Sequence, residues 1–300
     1  MARSGKRCSA SGADRAPDWS ACARSREEFA ALVIAQGEVL YRELSWRNVD
    51  DAYAVLVSEV MLQQTQVARV ERYWPRWMAT FPTIDALASA DTATVLEMWQ
   101  GLGYNRRALA LKRACETCSA EHGGTLPDTV EDLIALPGIG PATAAGVVAF
   151  AYDKPSVYIE TNVRSVFLHE LFPDRDGVSD KELAPFVADV CPAFDVRRWY
   201  YALLDYGAHL KTQVANPSRR SKHYVRQSKF EGSRREKRSF MLRRVLDSPE
   251  GIDVEDLEVL LGEYEREAGR GAVDRALFES LVDDLVSEGF FRREGAMLFS

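Results

Sequence analysis

Two carboxylates stand where a carboxylate could act as an acid or stabilise a positive charge. Glu160 lies among apolar residues just before a helical run, and an unpaired charge is costly to bury there. Glu59 lies on an apolar helical segment and is followed by three glutamines, whose amides can bond to nucleobase edges. Each has an ordinary alternative. Glu160 could be a carboxylate that stabilises a helix N-terminus, and Glu59 could be a solvated surface residue.

The sequence LPGIG at residues 136–140 joins two apolar helical segments. Gly138 and Gly140 allow a tight turn and a close approach of the backbone, and the next helix offers unpaired N–H groups at its start. Such a helix-hairpin-helix can hold a DNA phosphate without reading bases. An ordinary turn between helices is the alternative, but the Pro-Gly-Ile-Gly order favours DNA contact, and Thr143 is a further candidate.

Charge is distributed unevenly along the chain. The net charge is -7, yet residues 211–244 hold twelve basic and two acidic residues, which gives +10 there and leaves -17 elsewhere. A basic segment in an acidic protein is a candidate phosphate-binding surface, with a solvated linker as the alternative. Arg219, Arg220 and Lys222 are the candidate contacts within it.

The apolar residues recur at steps of three and four, and few stretches alternate as strands do, so the sequence predicts an all-α fold. We expect a flexible tail over residues 1–25, a helical body over 26–210 and a basic linker over 211–237. Residues 238–300 predict three helices closed by a hairpin, which resembles a winged helix. No membrane span or signal peptide is evident, so we expect a cytoplasmic protein. The five cysteines are widely spread and are expected to be free thiols.

In combination, these motifs resemble the MutY-type adenine DNA glycosylases of the helix-hairpin-helix (HhH-GPD) superfamily, which also includes endonuclease III. The resemblance covers about residues 26–210 and implies a two-lobed helical fold, with duplex DNA across a cleft and the target base flipped out. The segments that carry it are Trp46-Arg47, SEVMLQQTQV (58–67), FPTIDALASA (81–90), WQGLGYNRRA (99–108), LPGIG (136–140) and the NVR after Glu160.

The resemblance also implies roles for individual residues. Glu59 matches the acid that protonates the leaving purine, and Glu160 aligns with an aspartate that stabilises the positively charged sugar. We expect the two carboxylates to meet at one flipped nucleotide in a water-poor pocket. Gln64 and Leu102 are candidate wedges that enter the duplex. The full set of candidate DNA contacts is Gln63, Gln64, Leu102, Tyr104, Arg106, Arg107, Gly138, Gly140, Thr143, Asn162, Arg219, Arg220 and Lys222.

The chain departs from the family pattern at several positions. Glu160 is one methylene longer than the aspartate, and a misplacement of ~1 Å can cost on the order of 100-fold in rate. Ala142 replaces the lysine of the members that cleave the strand, so we expect no lyase step. No cysteine follows Cys191, so we expect no iron–sulfur cluster, no metal and no other cofactor. The mixed-sheet domain that reads 8-oxoguanine is not expected either.

The sequence therefore predicts a monofunctional DNA glycosylase of base excision repair, located in the cytoplasm with the nucleoid. Its partner would be double-stranded DNA with a mispaired or damaged base, with adenine opposite 8-oxoguanine or guanine as the first substrate to test. One alternative keeps the fold and changes the base to thymine or uracil opposite guanine, or to an alkylated or oxidised base. Another is a non-catalytic protein that binds DNA lesions.

Overall fold

The computed structural model describes residues 16–222, 224–226 and 228–300. The part of the predicted flexible tail that covers residues 1–15 lies outside the described residues. The rest of that prediction is wrong, because a 3-10 helix forms at Trp19–Ala21. The indole Nε1 of Trp19 donates to Asp189 Oδ2 at 3.0 Å, and the Ala23 N–H donates to the Leu171 carbonyl at 3.1 Å. These bonds attach the segment to the helical body.

The predicted all-α class is confirmed, with one small sheet near the C-terminus. The sheet has the antiparallel order β1-β3-β2, with Ile252 opposite Leu298 and Arg293 opposite Leu298 on the other side. The elements are α1 (Arg26–Leu40), α2 (Ala52–Leu62), α3 (Val67–Thr80), α4 (Ile84–Ser89), α5 (Thr92–Trp99), α6 (Arg106–Glu121), α7 (Val130–Ala135), α8 (Pro141–Tyr152), α9 (Thr161–Glu170), α10 (Asp180–Val190), α11 (Val196–Gln213), a 3-10 helix (Pro217–Arg220), α12 (Arg234–Leu246), β1 (Ile252–Asp253), α13 (Val254–Glu267), α14 (Arg275–Ser287), β2 (Arg292–Glu294) and β3 (Met297–Phe299).

The chain divides into two compact units. Unit 1 comprises residues up to Val55, Asp128–Glu131 and Gly140–Val225, and unit 2 comprises Leu56–Pro127, Asp132–Ile139 and Arg226–Ser300. This division differs from the predicted one, because the C-terminal residues 226–300 belong to the same compact unit as residues 56–127.

Unit 1 is built around α11, which packs on α1 and α9. Gly37 is needed at the first contact, because a Cβ there would lie 2.4 Å from the Cβ of Ala202. A buried ion pair also holds α11: Arg47 donates to both carboxylate oxygens of Asp205 at 2.7 and 2.8 Å. Arg42 adds a third bond to Asp205, so this charge is fully paired although it is buried.

Unit 2 has an aromatic core in its first half, where Trp77 packs edge-on against Trp99 and Phe81 at 5.2 and 4.9 Å between ring centroids. The short helices α4 and α5 begin at N-cap residues Thr83 and Asp91, whose side chains accept from backbone N–H groups of the first turn.

The second half of unit 2 contains the three helices and the hairpin predicted for residues 238–300. Here they are α12, α13, α14 and β2–β3, and we call residues 234–300 the C-terminal module. Its core is apolar and includes Leu242, Leu257, Phe278 and Leu298. The predicted basic linker is only in part a linker, because α11 runs to Gln213 and α12 already begins at Arg234. Within the described part of the chain, no helix has both the length and the apolar character that a bilayer crossing needs.

Candidate active site

The helix-hairpin-helix turn has the backbone geometry that its glycines predict. Gly138 adopts φ +74°, and a Cβ there would lie 2.4 Å from the Cβ of Ala110 on α6, so this turn can approach α6 only with glycine. Gly140 is the N-cap of α8 and faces open space. Thr143 does not fit the predicted phosphate contact, because its side chain is buried in the first turn of α8 and already has a partner in the protein.

Glu160 is the N-cap of α9 in unit 1. Its Oε1 accepts hydrogen bonds from the backbone N–H groups of Asn162 and Val163, the second at 3.0 Å. Oε2 has no hydrogen-bond partner among the described residues. The ordinary alternative for this residue, a carboxylate at a helix N-terminus, is therefore present in the structure. It does not compete with a chemical role, because one oxygen is fixed and the other remains available.

Lys211, near the end of α11, stands beside the start of α9. Its Nζ donates to the side-chain oxygen of Asn162 at 2.6 Å, and its charge acts on Glu160. Asn162 was predicted to contact DNA, but its side-chain oxygen thus already accepts a hydrogen bond from a lysine of the protein. Arg164 is also held, by two bonds to the carboxylate of Asp180 at 2.6 and 2.7 Å.

Gly207 lets α11 approach the start of α9. A Cβ at this position would lie 2.2 Å from the carbonyl oxygen of Asn162, and that contact is with backbone, which cannot rotate away. The next turn of α11 carries Lys211, because residues four apart lie on one face of a helix. Gly207 therefore sets the distance at which both Lys211 and Glu160 are placed.

Burial and the polar partners of Glu160 shift its pKa in opposite directions. Burial raises the pKa of Glu160 above its ordinary value of 4.5, while the N–H of Val163 and the charge of Lys211 lower it. Burial also lowers the pKa of Lys211, and Glu160 opposes that shift. The charged form of Glu160 thus depends on a small set of partners, as is typical of functional carboxylates.

Glu59 lies on α2 in unit 2, half-buried between the buried Ser58 and Val60. The turn that follows α2 exposes Gln63 and Gln64, and Gln64 adopts φ +55°, a backbone conformation unusual for a residue with a side chain. Strain of this kind is concentrated at functional sites. The predicted wedge at Gln64 is therefore exposed at the tip of a turn.

Leu102 does not have the geometry predicted for a wedge. It is 3% exposed, because the loop of Gly101 and Gly103 adopts left-handed conformations that fold the leucine inward. The exposed side chain of this loop is Tyr104, which is 36% exposed and adopts φ +50°. If this loop enters a duplex, Tyr104 is the side chain placed to do so.

Arg107 was predicted to hold phosphate, but the structure gives its guanidinium partners within the protein. Its guanidinium donates to the carbonyl oxygens of Val60, Gln63 and Gly103 at 2.8, 2.6 and 2.9 Å. Burial lowers the pKa of Arg107 to about 10. The side chain thus joins the glutamine turn to the loop of Tyr104 and fixes both.

Its neighbour Arg106 is exposed but forms two bonds to the carboxylate of Glu288 on the C-terminal module. Glu288 also accepts from Arg238 of α12 at 2.6 Å. A phosphate could reach Arg106 only in competition with Glu288.

The three candidates in the basic segment differ in position. Arg220 was predicted to contact DNA, but its guanidinium donates to the carbonyls of Leu168, Phe172 and Pro173 at 2.8, 2.6 and 2.6 Å. It satisfies carbonyl groups at and just after the C-terminus of α9, which α9 itself cannot satisfy. Arg219 and Lys222 are exposed and stay candidates.

The residues present do not fit an iron–sulfur cluster, which needs four thiolates. Residues 192–300 contain no cysteine, and the segment after α11 forms a 3-10 helix that packs on α9. Cys115 and Cys118 lie on the buried face of α6, and burial raises the pKa of Cys118 to about 11. No grouping of three or more metal-binding side chains occurs in the described part of the chain.

Comparison with known proteins matches part of the chain to a family. Residues 57–193, just under half of the chain, match the family described as HhH-GPD superfamily base excision DNA repair protein. The match starts in α2, just before Glu59, and ends after α10, so it includes the hairpin turn and Glu160.

Proteins similar to this chain include several named adenine DNA glycosylase. One from Mycobacterium tuberculosis (strain CDC 1551 / Oshkosh) is 44% identical over 127 residues, 42% of this chain and 42% of its own length. One from Mycolicibacterium smegmatis is 38% identical over 173 residues, 57% of this chain and 59% of its own. The human protein of that name is 42% identical over 134 residues, 42% of this chain and 24% of its own. The chain thus spans about four- to six-tenths of the mycobacterial relatives.

Solved structures share the fold. A thermostable thymine-DNA glycosylase aligns with a TM-score of 0.55 at 21% identity, over 61% of this chain and 86% of that one. Endonuclease III in a trapped covalent DNA intermediate aligns with a TM-score of 0.54 at 17% identity, over 62% and 87%. These alignments confirm the helix-hairpin-helix glycosylase fold predicted from the motifs.

Sequence reasoning missed Lys211 and Gly207 beside Glu160 in unit 1, and Glu288 beside Arg106 in unit 2. Lys211 was counted only as one charge of the basic segment. Its spacing of four from Gly207 could have placed both on one helix face, but nothing local predicts that this face meets α9. Glu288 is one of many acidic residues and carries no distinguishing signal.

Proposed function

We propose that this chain is a monofunctional DNA glycosylase that hydrolyses the N-glycosidic bond of adenine mispaired with 8-oxoguanine or guanine in duplex DNA. The observation that carries this is Glu160, a carboxylate with one oxygen fixed by the amides of α9 and one without a partner among the described residues. The superfamily match around it and the names of the relatives support DNA base excision as the reaction.

Glu160 is proposed to act in its charged form. As the base departs, positive charge develops on the sugar, and a fixed carboxylate stabilises that charge and positions the attacking water. The two amide bonds and the Lys211 charge favour ionisation of Glu160 against the effect of burial. Glu160 is one methylene longer than the family's aspartate. Its side chain folds back on the N-terminus of α9 and caps that helix.

Glu59 is proposed to supply the proton to the leaving base. A protonated carboxyl is an effective acid when its surroundings are apolar, and Glu59 is flanked on α2 by buried residues. Ala142 is exposed at the start of α8 and has no nucleophile, so we propose that no covalent lyase step follows. The carboxylates of the chain suffice for this reaction without a cofactor.

The test is single-turnover base release from labelled duplexes carrying adenine opposite 8-oxoguanine or guanine, and thymine or uracil opposite guanine. Alkali then reveals abasic sites. Glu160→Gln and Glu59→Gln should each lower the rate by at least 100-fold while duplex binding stays largely intact, because a positioned acid or base contributes roughly 10²–10⁴-fold.

Asp91→Asn is the matched control, because it changes a carboxylate to an amide at another helix N-cap, that of α5. It should leave base release unchanged. Release from thymine or uracil duplexes alone would replace adenine by another base in the proposal. Binding of every duplex without release from any would show a lesion-binding protein instead.

A further inference from the structure

Unit 2 contains a cleft of about 1010 Å³ beside the glutamine turn. One wall consists of residues 63–66 and 100–107, and the other consists of residues 228–243, which include α12 of the C-terminal module. Ligand pockets of small molecules are ~300–1,000 Å³. This cleft is at or above that range, so it has room for more than a single base.

The cleft is lined by more positive than negative charge. Its lining includes seven arginines and one carboxylate, Asp284. Arg234 and Arg238 pair with Asp284, and Arg238 also pairs with Glu288. Three further lining arginines form no ion pair with a carboxylate of the described residues: Arg69, Arg235 and Arg243. Arg235 donates to the hydroxyl of Tyr104 and to the carbonyl oxygen of Ser228, but these neutral groups leave its positive charge in the cleft.

Aromatic rings stand beside this positive charge. The guanidinium of Arg235 lies 5.2 Å from the ring centroid of Tyr104 and 5.9 Å from that of Phe230. Both rings are exposed, Phe230 by 50%. A cation between two exposed aromatic faces, next to glutamine amides, is how proteins bind a strand whose bases are unstacked. An acidic peptide would need the cations but not the aromatic faces.

We propose that this cleft binds one strand of the DNA substrate, with Arg235 and Arg243 at its phosphates and an unstacked base against Tyr104 or Phe230. This proposal rests on the proposed function, because it takes DNA as the substrate. The C-terminal module thereby becomes part of the DNA-binding surface. It contributes phosphate contacts through α12 and a stacking surface through Phe230.

The test measures binding of the full chain to a labelled duplex with one unpaired base, by fluorescence anisotropy at several NaCl concentrations. The double variant Arg235→Gln/Arg243→Gln should reduce the log-log salt slope by roughly one to two, one for each lost phosphate contact. Arg275→Gln is the matched control, because Arg275 lies on α14 of the same module, pairs with Glu258 and Glu279, and does not line the cleft.

Phe230→Ala should weaken binding on the order of tenfold through loss of stacking. Phe194→Ala, which removes an equally large ring that is 83% exposed in unit 1, should not. Melting of each variant by circular dichroism confirms that it is folded. In a second measurement, 4-thiothymidine placed opposite the target base or beside it should crosslink to Tyr104 or Phe230.

Unchanged slope and affinity in folded variants, with no crosslink to either ring, would overturn the proposal while base release stayed intact. Labelled poly-glutamate is the second probe in the same anisotropy assay. Loss of its binding in the double variant, with DNA binding unchanged, would also overturn the proposal and assign the cleft to an acidic protein. A reduced salt slope without base release from any duplex would reject the proposed function and leave the cleft as a DNA site.

Discussion

Gly207→Ala tests whether the position of Glu160 controls the reaction. The added Cβ would lie 2.2 Å from the carbonyl oxygen of Asn162, and real Cβ contacts are essentially never below 3.0 Å. The start of α9 must therefore move away from α11 by at least about 0.8 Å. Glu160 accepts its hydrogen bonds from this same turn, so its carboxylate moves with it.

A displacement of this size has two expected effects. Overpacking of a close helix contact costs roughly 1–3 kcal/mol of stability. A shift of ~1 Å at a positioned catalytic group costs on the order of 100-fold in rate. We expect single-turnover release of adenine to fall by about that factor under conditions where the variant is still folded.

Two other glycines separate these effects. Gly37→Ala also overpacks α11, with a Cβ 2.4 Å from that of Ala202, but does not touch α9. It should lower the melting temperature and leave the rate of the folded protein unchanged. Gly262→Ala meets open space on α13 and should be neutral or stabilising by ~1 kcal/mol. A wild-type release rate in folded Gly207→Ala would refute the link between this helix contact and catalysis.

Other predictions concern charge and hydrogen bonding. In wild type, release should fall as the pH drops through the raised pKa of Glu160, because the carboxylate is the active form; Lys211→Met should move this acid limb to higher pH, and a pH–rate profile that does not move would contradict the role of Lys211. In unfolding experiments, the folded state holds the Glu160 proton more tightly than the unfolded state. The wild-type free energy of unfolding should therefore fall, relative to Glu160→Gln, as pH rises from the ordinary value through the raised pKa, by at most ~1.4 kcal/mol per pH unit. Arg107→Met should cost about 2–3 kcal/mol in urea unfolding, because several carbonyls lose their donor; an unchanged midpoint would refute its structural role. Arg219→Gln should lower the salt slope of DNA binding by roughly one without loss of stability, whereas Arg220→Gln should lower stability and leave the slope unchanged; the reverse pattern would return Arg220 to the DNA contacts.

Helix class, the hairpin turn and the position of Glu160 at a helix N-terminus could be predicted because their signals are local. Apolar spacing predicts helices, and the Gly138 turn requires a backbone conformation that other residues rarely adopt. Glu160 just before a helical run predicts an N-cap, and α9 begins at the next residue. Residues 57–193, which match the superfamily, contain the hairpin turn and both carboxylates.

The roles of neighbouring arginines could not be predicted. Arg106 and Arg107 follow one another on α6, where consecutive side chains point about 100° apart. Arg106 faces solvent and Glu288. Arg107 is half-buried and donates to carbonyls of the loop just before α6 and of the turn after α2, which lies far away in sequence. Arg219 and Arg220 show the same division. From the sequence, both arginines of such a pair receive the same predicted role. Only the tertiary packing shows that their roles differ.

Leu102 illustrates a different limit. Between Gly101 and Gly103 it was interpreted as a projecting wedge, yet the left-handed backbone at both glycines folds it inward. An apolar side chain between flexible residues buries itself when the fold offers a place for it. Tyr104, whose ring is amphipathic, is left at the surface of the loop.

The charge of the basic segment also changes meaning once its partners are known. Residues 211–244 carry +10 by count, but Arg234, Lys237 and Arg238 pair with carboxylates outside that segment. The guanidinium of Arg220 donates hydrogen bonds to backbone carbonyl oxygens. The charge left for phosphate is therefore well below +10, and a salt slope close to that count would contradict the pairing in the structure. Part of what is left, at Arg235 and Arg243, lies along the cleft beside the glutamine turn rather than being spread over a linker. For the proposed DNA-binding surface, the charges that matter are those that no carboxylate of the described residues pairs with. Counting arginines overestimates this charge, and mapping their ion pairs shows where it lies.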